Sequence, residues 1–90
     1  METTFKGIAV TREMILKQLH KFSGKYRDTN KYDGWLEKKN FRYAIQYDGK
    51  LYPCKYILSQ ATGISIRSFN GGEETNRVFR QLSFTIVDKP

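Results

Sequence analysis

A chain of 90 residues fits one domain with a thin core, and 39% hydrophobic with 28% charged residues is the make-up of an ordinary globular protein, not of a disordered one. The balance is basic: 16 Lys and Arg against 9 Asp and Glu give a net charge of +7, which suits a polyanionic partner and also serves plain solubility. The single cysteine excludes an intrachain disulfide and a cysteine-built zinc cluster, and no run of about 18 apolar residues exists to span a membrane, so the expectation is a cytoplasmic protein with no membrane partner.

The first ten residues, METTFKGIAV, are mixed, with Phe5, Ile8 and Val10 able to lean on a core. Thr11 is a suitable N-cap for a helix over REMILKQLHKF. Ile15, Leu19 and Phe22 stand at i, i+4 and i+7, Leu16 widens the stripe, and Arg12, Lys17 and Lys21 fall largely off it. Ser23-Gly24 is expected to stop this helix. Residues 24 to 40 are the least regular part, with turn formers at Asn30, Asp33 and Gly34 and a short helix around Trp35 to Lys39.

Phe41, Tyr43, Ile45 and Tyr47 then alternate with polar or small residues, which is strand period. Asp48-Gly49 predicts a hairpin into a short strand around Leu51 and Tyr52. Pro53 suits the first turn of a helix over CKYILSQAT, whose inward residues are Ile57, Leu58 and Ala61 and whose stop is Gly63. Ile64, Ile66 and Phe69 anchor a connector. A third helix over EETNRVFRQL buries Val78, Phe79 and Leu82, and Phe84, Ile86 and Val87 make a last strand. This order predicts an α+β fold: a small three-stranded, mostly antiparallel sheet packed with about three helices.

Few residues offer chemistry. His20 is the only histidine and lacks a partner for acid–base work, so a structural or surface role is expected. Cys54, near a helix start, can be somewhat acidified there, but the bland reading is a small core-filling residue. No metal-ligand spacing occurs, and no cofactor is expected. The chain therefore reads as a non-enzyme. The stretch FNGGEETNRVF, residues 69 to 79, looks at first like a phosphate loop, with two glycines before a helix. It lacks the lysine and the Ser or Thr of such a cradle, and Glu73 and Glu74 already occupy the positive end of the helix.

The charge is densest in the middle: residues 23 to 56 carry eight basic and four acidic side chains. Lys25, Arg27, Lys31, Lys38, Lys39 and Arg42 are interleaved there with Tyr26, Tyr32, Trp35, Phe41 and Tyr43. Lysine and arginine neutralise phosphates, aromatic faces stack on exposed bases, and a loop carrying both can surround an extruded base. The bland alternative has Trp35 and Phe41 closing the core under a long loop while the lysines are merely solvated. Arg67 is a second candidate, because alternation between Ile66 and Phe69, both expected to be buried, turns it outward beside the glycine pair. Lys55 completes the set. Arg77 and Arg80 either add phosphate contacts or balance Glu73 and Glu74.

The strings YAIQYDGKLYPCKYILSQATG and FNGGEETNRVFRQLSFTIV resemble the N-terminal head domain of McrA-like HNH restriction endonucleases, which are type IV, modification-dependent enzymes. Similar small modules stand at the front of other defence nucleases and ATPases. The resemblance runs from about residue 8 to 87, with 24 to 40 unmatched. It rests on Gly49, Tyr52, Lys55, Phe69, Gly71, Gly72, Leu82, Phe84 and Val87, and on the leading helix TREMILKQL. Ser83 stands where the pattern has Gly. The resemblance implies an accessory DNA-binding module. It carries over no nuclease residues, since the chain has no HNH or PD-ExK pattern.

The expectation is thus that residues 1 to 90 form one DNA-binding domain, the N-terminal module of a longer restriction or anti-phage protein. Its partners would be DNA, double-stranded, and a nuclease or ATPase domain in the same chain or complex. Lys25, Arg27, Lys31, Lys38, Lys39, Arg42, Lys55 and Arg67 would dock phosphates, and Tyr26, Tyr32 and Trp35 would read a modified or flipped base. The rival is a protein-interaction module that docks a nuclease or a phage protein.

Overall fold

The computed structural model describes residues 1–25 and 42–88. Two antiparallel hairpins and three helices alternate along it. Strands β1 (Glu2–Phe5) and β2 (Ile8–Thr11) form a two-stranded sheet, followed by helix α1 (Arg12–Lys25). Strands β3 (Tyr43–Tyr47) and β4 (Lys50–Pro53) form the second hairpin. Helix α2 (Cys54–Thr62), a 3-10 turn (Ile66–Ser68), helix α3 (Glu73–Gln81) and strand β5 (Thr85–Asp88) complete the chain. β5 returns beside β3, so the larger sheet has the order β4-β3-β5, antiparallel throughout. The expected α+β class, the three-stranded sheet and the three helices are therefore present.

The first hairpin is an addition. Lys6 and Gly7 both take positive φ, 50° and 81°, the geometry of a two-residue turn that matches the twist of its strands. Asp48 and Gly49 do the same at the predicted turn, with φ of 53° and 74°. Thr11 caps α1 as expected: its Oγ1 accepts from the Met14 amide at 3.1 Å. Ser23-Gly24 does not stop that helix, which runs on to Lys25. Ser23 is held there by a hydrogen bond shared with the Tyr52 hydroxyl at 2.8 Å, a contact far away in sequence. Pro53 also differs from expectation. It ends β4 with ψ of 119°, outside the helix, and α2 starts one residue later. The predicted short helix around Trp35 to Lys39 lies outside the described residues.

The end of α3 is built with more care than its sequence suggests. Ser83 adopts φ of 66°, the Phe84 amide reaches back to the Phe79 carbonyl at 2.9 Å, and the Ser83 amide to the Arg80 carbonyl at 3.0 Å. This is the Schellman termination with serine in the position that glycine favours, and the Phe79 and Phe84 rings meet edge to face across it, as that motif prefers. Arg12 locks the arrangement from α1. Its guanidinium donates to the Leu82 carbonyl at 2.8 Å and lies 4.3 Å from the Phe84 ring centroid. Arg12 is thus a structural cation. Val10, Ile15, Ile45, Ile57, Leu58, Val78, Phe79 and Leu82 are sealed from solvent where the helices meet the two sheets.

Candidate nucleic-acid interface

The register of the larger sheet decides which candidate cations are neighbours. Ala44 pairs with Pro53, so Arg42, two residues before the one, and Lys55, two residues after the other, lie beyond the same end of the sheet. The last turn of α1 reaches that end as well. Phe22 packs edge to face on Tyr52 at 5.8 Å and on Tyr56, in the first turn of α2, at 5.9 Å, and Lys25 follows three residues later. Arg42 and Lys25 are exposed; Lys55 is half-buried. Among the described residues a carboxylate at this end is Asp88, whose residue pairs with Tyr43.

Helix α2 begins at the same place. Its first turn holds no acidic residue, and no side chain caps it. The positive end of the helix dipole therefore meets no carboxylate of the helix itself, although Pro53 and Cys54 at its start are buried. Lys55 is held by its stem: a methyl group added at Gly71 would stand 3.4 Å from Lys55 Cδ, and the ammonium lies 5.7 Å from the Phe69 ring centroid. Arg67 is exposed on the 3-10 turn, two residues before that ring. Ile66, expected to be buried, is only half-buried, because the 3-10 turn interrupts the alternation on which that expectation rested. Register and packing thus put the positions of Lys25, Arg42 and Lys55 toward one end of the sheet, and Arg67 stands two residues before the ring that meets the Lys55 ammonium. Arg27, Lys31, Lys38 and Lys39, with Tyr26, Tyr32 and Trp35, lie outside the described residues. Those four cations share their stretch of sequence with Asp28, Asp33 and Glu37, so most of the +7 charge resides elsewhere.

The stretch FNGGEETNRVF is occupied by its own side chains. The Asn70 amide donates to Glu74 Oε2 at 3.4 Å, and Thr75 Oγ1 donates to the Asn70 carbonyl at 2.8 Å. Gly72, with φ of 85° and ψ of −146°, sits where a side chain is scarcely tolerated, and its carbonyl accepts from the Thr75 and Asn76 amides. A carboxylate therefore already fills the place that a phosphate would take. Arg80 pairs with Glu73 at 2.7 Å and Lys6 with Glu74 at 3.3 Å, while Arg77 donates to Gln81 at 3.0 Å. On this side of the molecule the cations have partners.

Comparisons with known proteins find no matching family model, no similar curated protein and no similar solved structure. The reading of this surface therefore rests on its own chemistry. His20 is exposed on α1. Among the described residues no group of three His, Cys, Asp or Glu side chains could hold a metal, and no helix is long and apolar enough to cross a membrane. Cys54 is buried, and burial pushes its thiol up to about 12; a backbone hydrogen bond and the field of Arg80 offset only part of that. Cys54 is thus the small core-filling residue of the bland reading, and the acidification that a helix start can bring is outweighed by desolvation. The thiolate fraction at neutral pH should accordingly be about a thousandfold below that of an ordinary cysteine. Iodoacetamide at pH 8, followed by mass spectrometry, should leave Cys54 unmodified in the folded protein and label it in denaturant. Equal labelling in both states would contradict a sealed thiol.

One residue escaped sequence reasoning altogether. Asn76 is fully buried on α3, and among the described residues neither its amide nitrogen nor its oxygen has a hydrogen-bond partner. In the string EETNRVFR it reads as one more polar helix residue, so the sequence carried no signal of this.

Proposed function

We propose that this domain binds nucleic acid, namely double-stranded DNA, by docking phosphates on the end of the sheet that carries Lys25, Arg42 and Lys55. What supports it is that register and ring packing put these three positions, 30 apart in sequence between Lys25 and Lys55, toward one end of the sheet, at a helix start with no carboxylate in its first turn and no capping side chain. The composition favours the same partner. Among the described residues Met1 is the only large hydrophobic side chain left exposed, so they form no apolar patch of the kind that a protein partner usually covers. The restriction or anti-phage setting, and a nuclease or ATPase domain as companion, come from the resemblance of the sequence to restriction-enzyme head domains. The finer part of the proposal is that Tyr26, Tyr32 and Trp35 read a modified or flipped base, motivated by their interleaving with cations.

A titration of duplex DNA over a range of salt tests the reading. The three or four phosphates docked at the sheet end alone give a slope of log K against log salt of about −3 or steeper, at about −0.9 per phosphate. A flat response would remove DNA as the partner and leave the docking of a nuclease or phage protein as the reading to pursue. Repeating the titration with modified and plain duplexes tests the base-reading part: equal affinities for Trp35→Ala and wild type on every duplex would sink it.

A further inference from the structure

On the side of α3 and the first hairpin, Lys6, Arg77 and Arg80 are engaged with Glu74, Gln81 and Glu73. On α1 the exposed residues include Lys17, Lys21 and Lys25, spaced i, i+4, i+8, with His20 exposed between them. Residues four apart form one ridge, with about 6 Å between successive positions along the axis, so the three ammonium groups make a row on a rigid element. Among the described residues neither Lys17 nor Lys21 has an ion-pair partner; the nearest acid on the same row is Glu13, one step behind Lys17. The row ends at Lys25, which is at the end of the sheet already assigned to phosphate docking.

We infer that the solvent face of α1 extends this surface, with Lys17 and Lys21 contacting further phosphates along the same DNA backbone. The inference rests on the reading of the sheet end as a DNA-docking site. A lipid surface fits the row less well. A helix that lies on a membrane inserts its apolar face, whereas Ile15, Leu19 and Phe22 of α1 are buried in the core of the domain. The row offers charge without apolar anchors. Contacts of this kind position the protein without reading bases.

The experiment uses the full chain, one duplex of mixed sequence and a second of unrelated sequence, titrated at several salt concentrations. Lys17→Gln and Lys21→Gln should each reduce the steepness of the salt dependence by about 0.9, and the double variant by about 1.8, equally on both duplexes. Lys50→Gln, at the hairpin tip on the opposite end of the sheet, should leave it unchanged. Circular dichroism melting of each variant guards against misfolding, which these exposed positions should not provoke. If the double variant keeps the wild-type slope while Lys25→Gln and Arg42→Gln lower it, the α1 face is not part of the surface and the sheet-end reading survives. If wild type has no slope at all, both fail. Binding to phosphatidylserine vesicles that is lost in the double variant, without duplex binding, would also overturn the inference and make the row a lipid contact.

Discussion

Phe69→Ala should cost about 3 to 5 kcal/mol of stability, the range for removing a buried phenyl ring from a core that collapses only in part. Phe69 is 4% exposed, and its ring meets Phe5 edge to face at 5.0 Å. It is the point at which the first hairpin, the connector after α2 and the ammonium of Lys55 come together. A domain of this length has a total stability of about 5 to 13 kcal/mol, so the loss is a large share of it. At about 4 °C or more per kcal/mol, the melting temperature should fall by at least about 12 °C. Phe69→Leu, which keeps most of the volume, should cost less than about 1.5 kcal/mol. The alanine variant should also bind DNA more weakly well below its melting temperature. Lys55 would lose the ring beneath its ammonium, and Arg67 would lose the anchor two residues away. Thermal melting followed by calorimetry checks the stability. A shift under about 3 °C would mean that the ring does not tie these elements together.

What the sequence made legible was local. The period of Ile15, Leu19 and Phe22, the cap at Thr11 and the Asp48-Gly49 turn each depend on residues within a few positions, and each is found in the fold. Two of the misses share a physical cause, which is that the deciding contact is distant. Gly24 stays helical beside Ser23, which is tied to Tyr52, 29 positions on. Arg12 looks like a surface cation until the Leu82 carbonyl, 70 positions away, is placed beside it. Lys6 is an uncommon residue at a positive φ, so the turn it shares with Gly7 left no strong mark. For the site the balance is similar. That Arg42 and Lys55 flank a hairpin follows from the Asp-Gly turn and its register. That Lys25 joins them depends on the packing of Phe22 against Tyr52 and Tyr56, which no spacing rule supplies.

Asn76→Asp should be among the most damaging single changes in the domain at neutral pH, although it keeps the shape of the side chain. Asn76 is fully buried, and both polar atoms of its amide are without partners among the described residues, so a carboxylate there would be a buried charge with no donor among them to meet it. The cost of an uncompensated buried charge is about 3 to 5 kcal/mol. Its dependence on pH follows from linkage. In the unfolded chain the new carboxyl titrates near 4; in the folded chain burial raises it above that value. The acid is neutral in both states below about pH 4, so there the charge penalty is absent. It grows as pH rises from the unfolded value to the folded one, and it is fully present above both. Urea unfolding of the variant against wild type at matched pH should therefore give a difference that is small near pH 4 and large at pH 7. Asn76→Leu separates charge from shape. A leucine removes the unpaired amide, which returns about 1 to 3 kcal/mol, against a similar cost for its extra bulk, so the net change should be small. If Asn76→Asp is tolerated at pH 7, or if Asn76→Leu costs several kcal/mol, the amide has partners in solution and the site is satisfied after all.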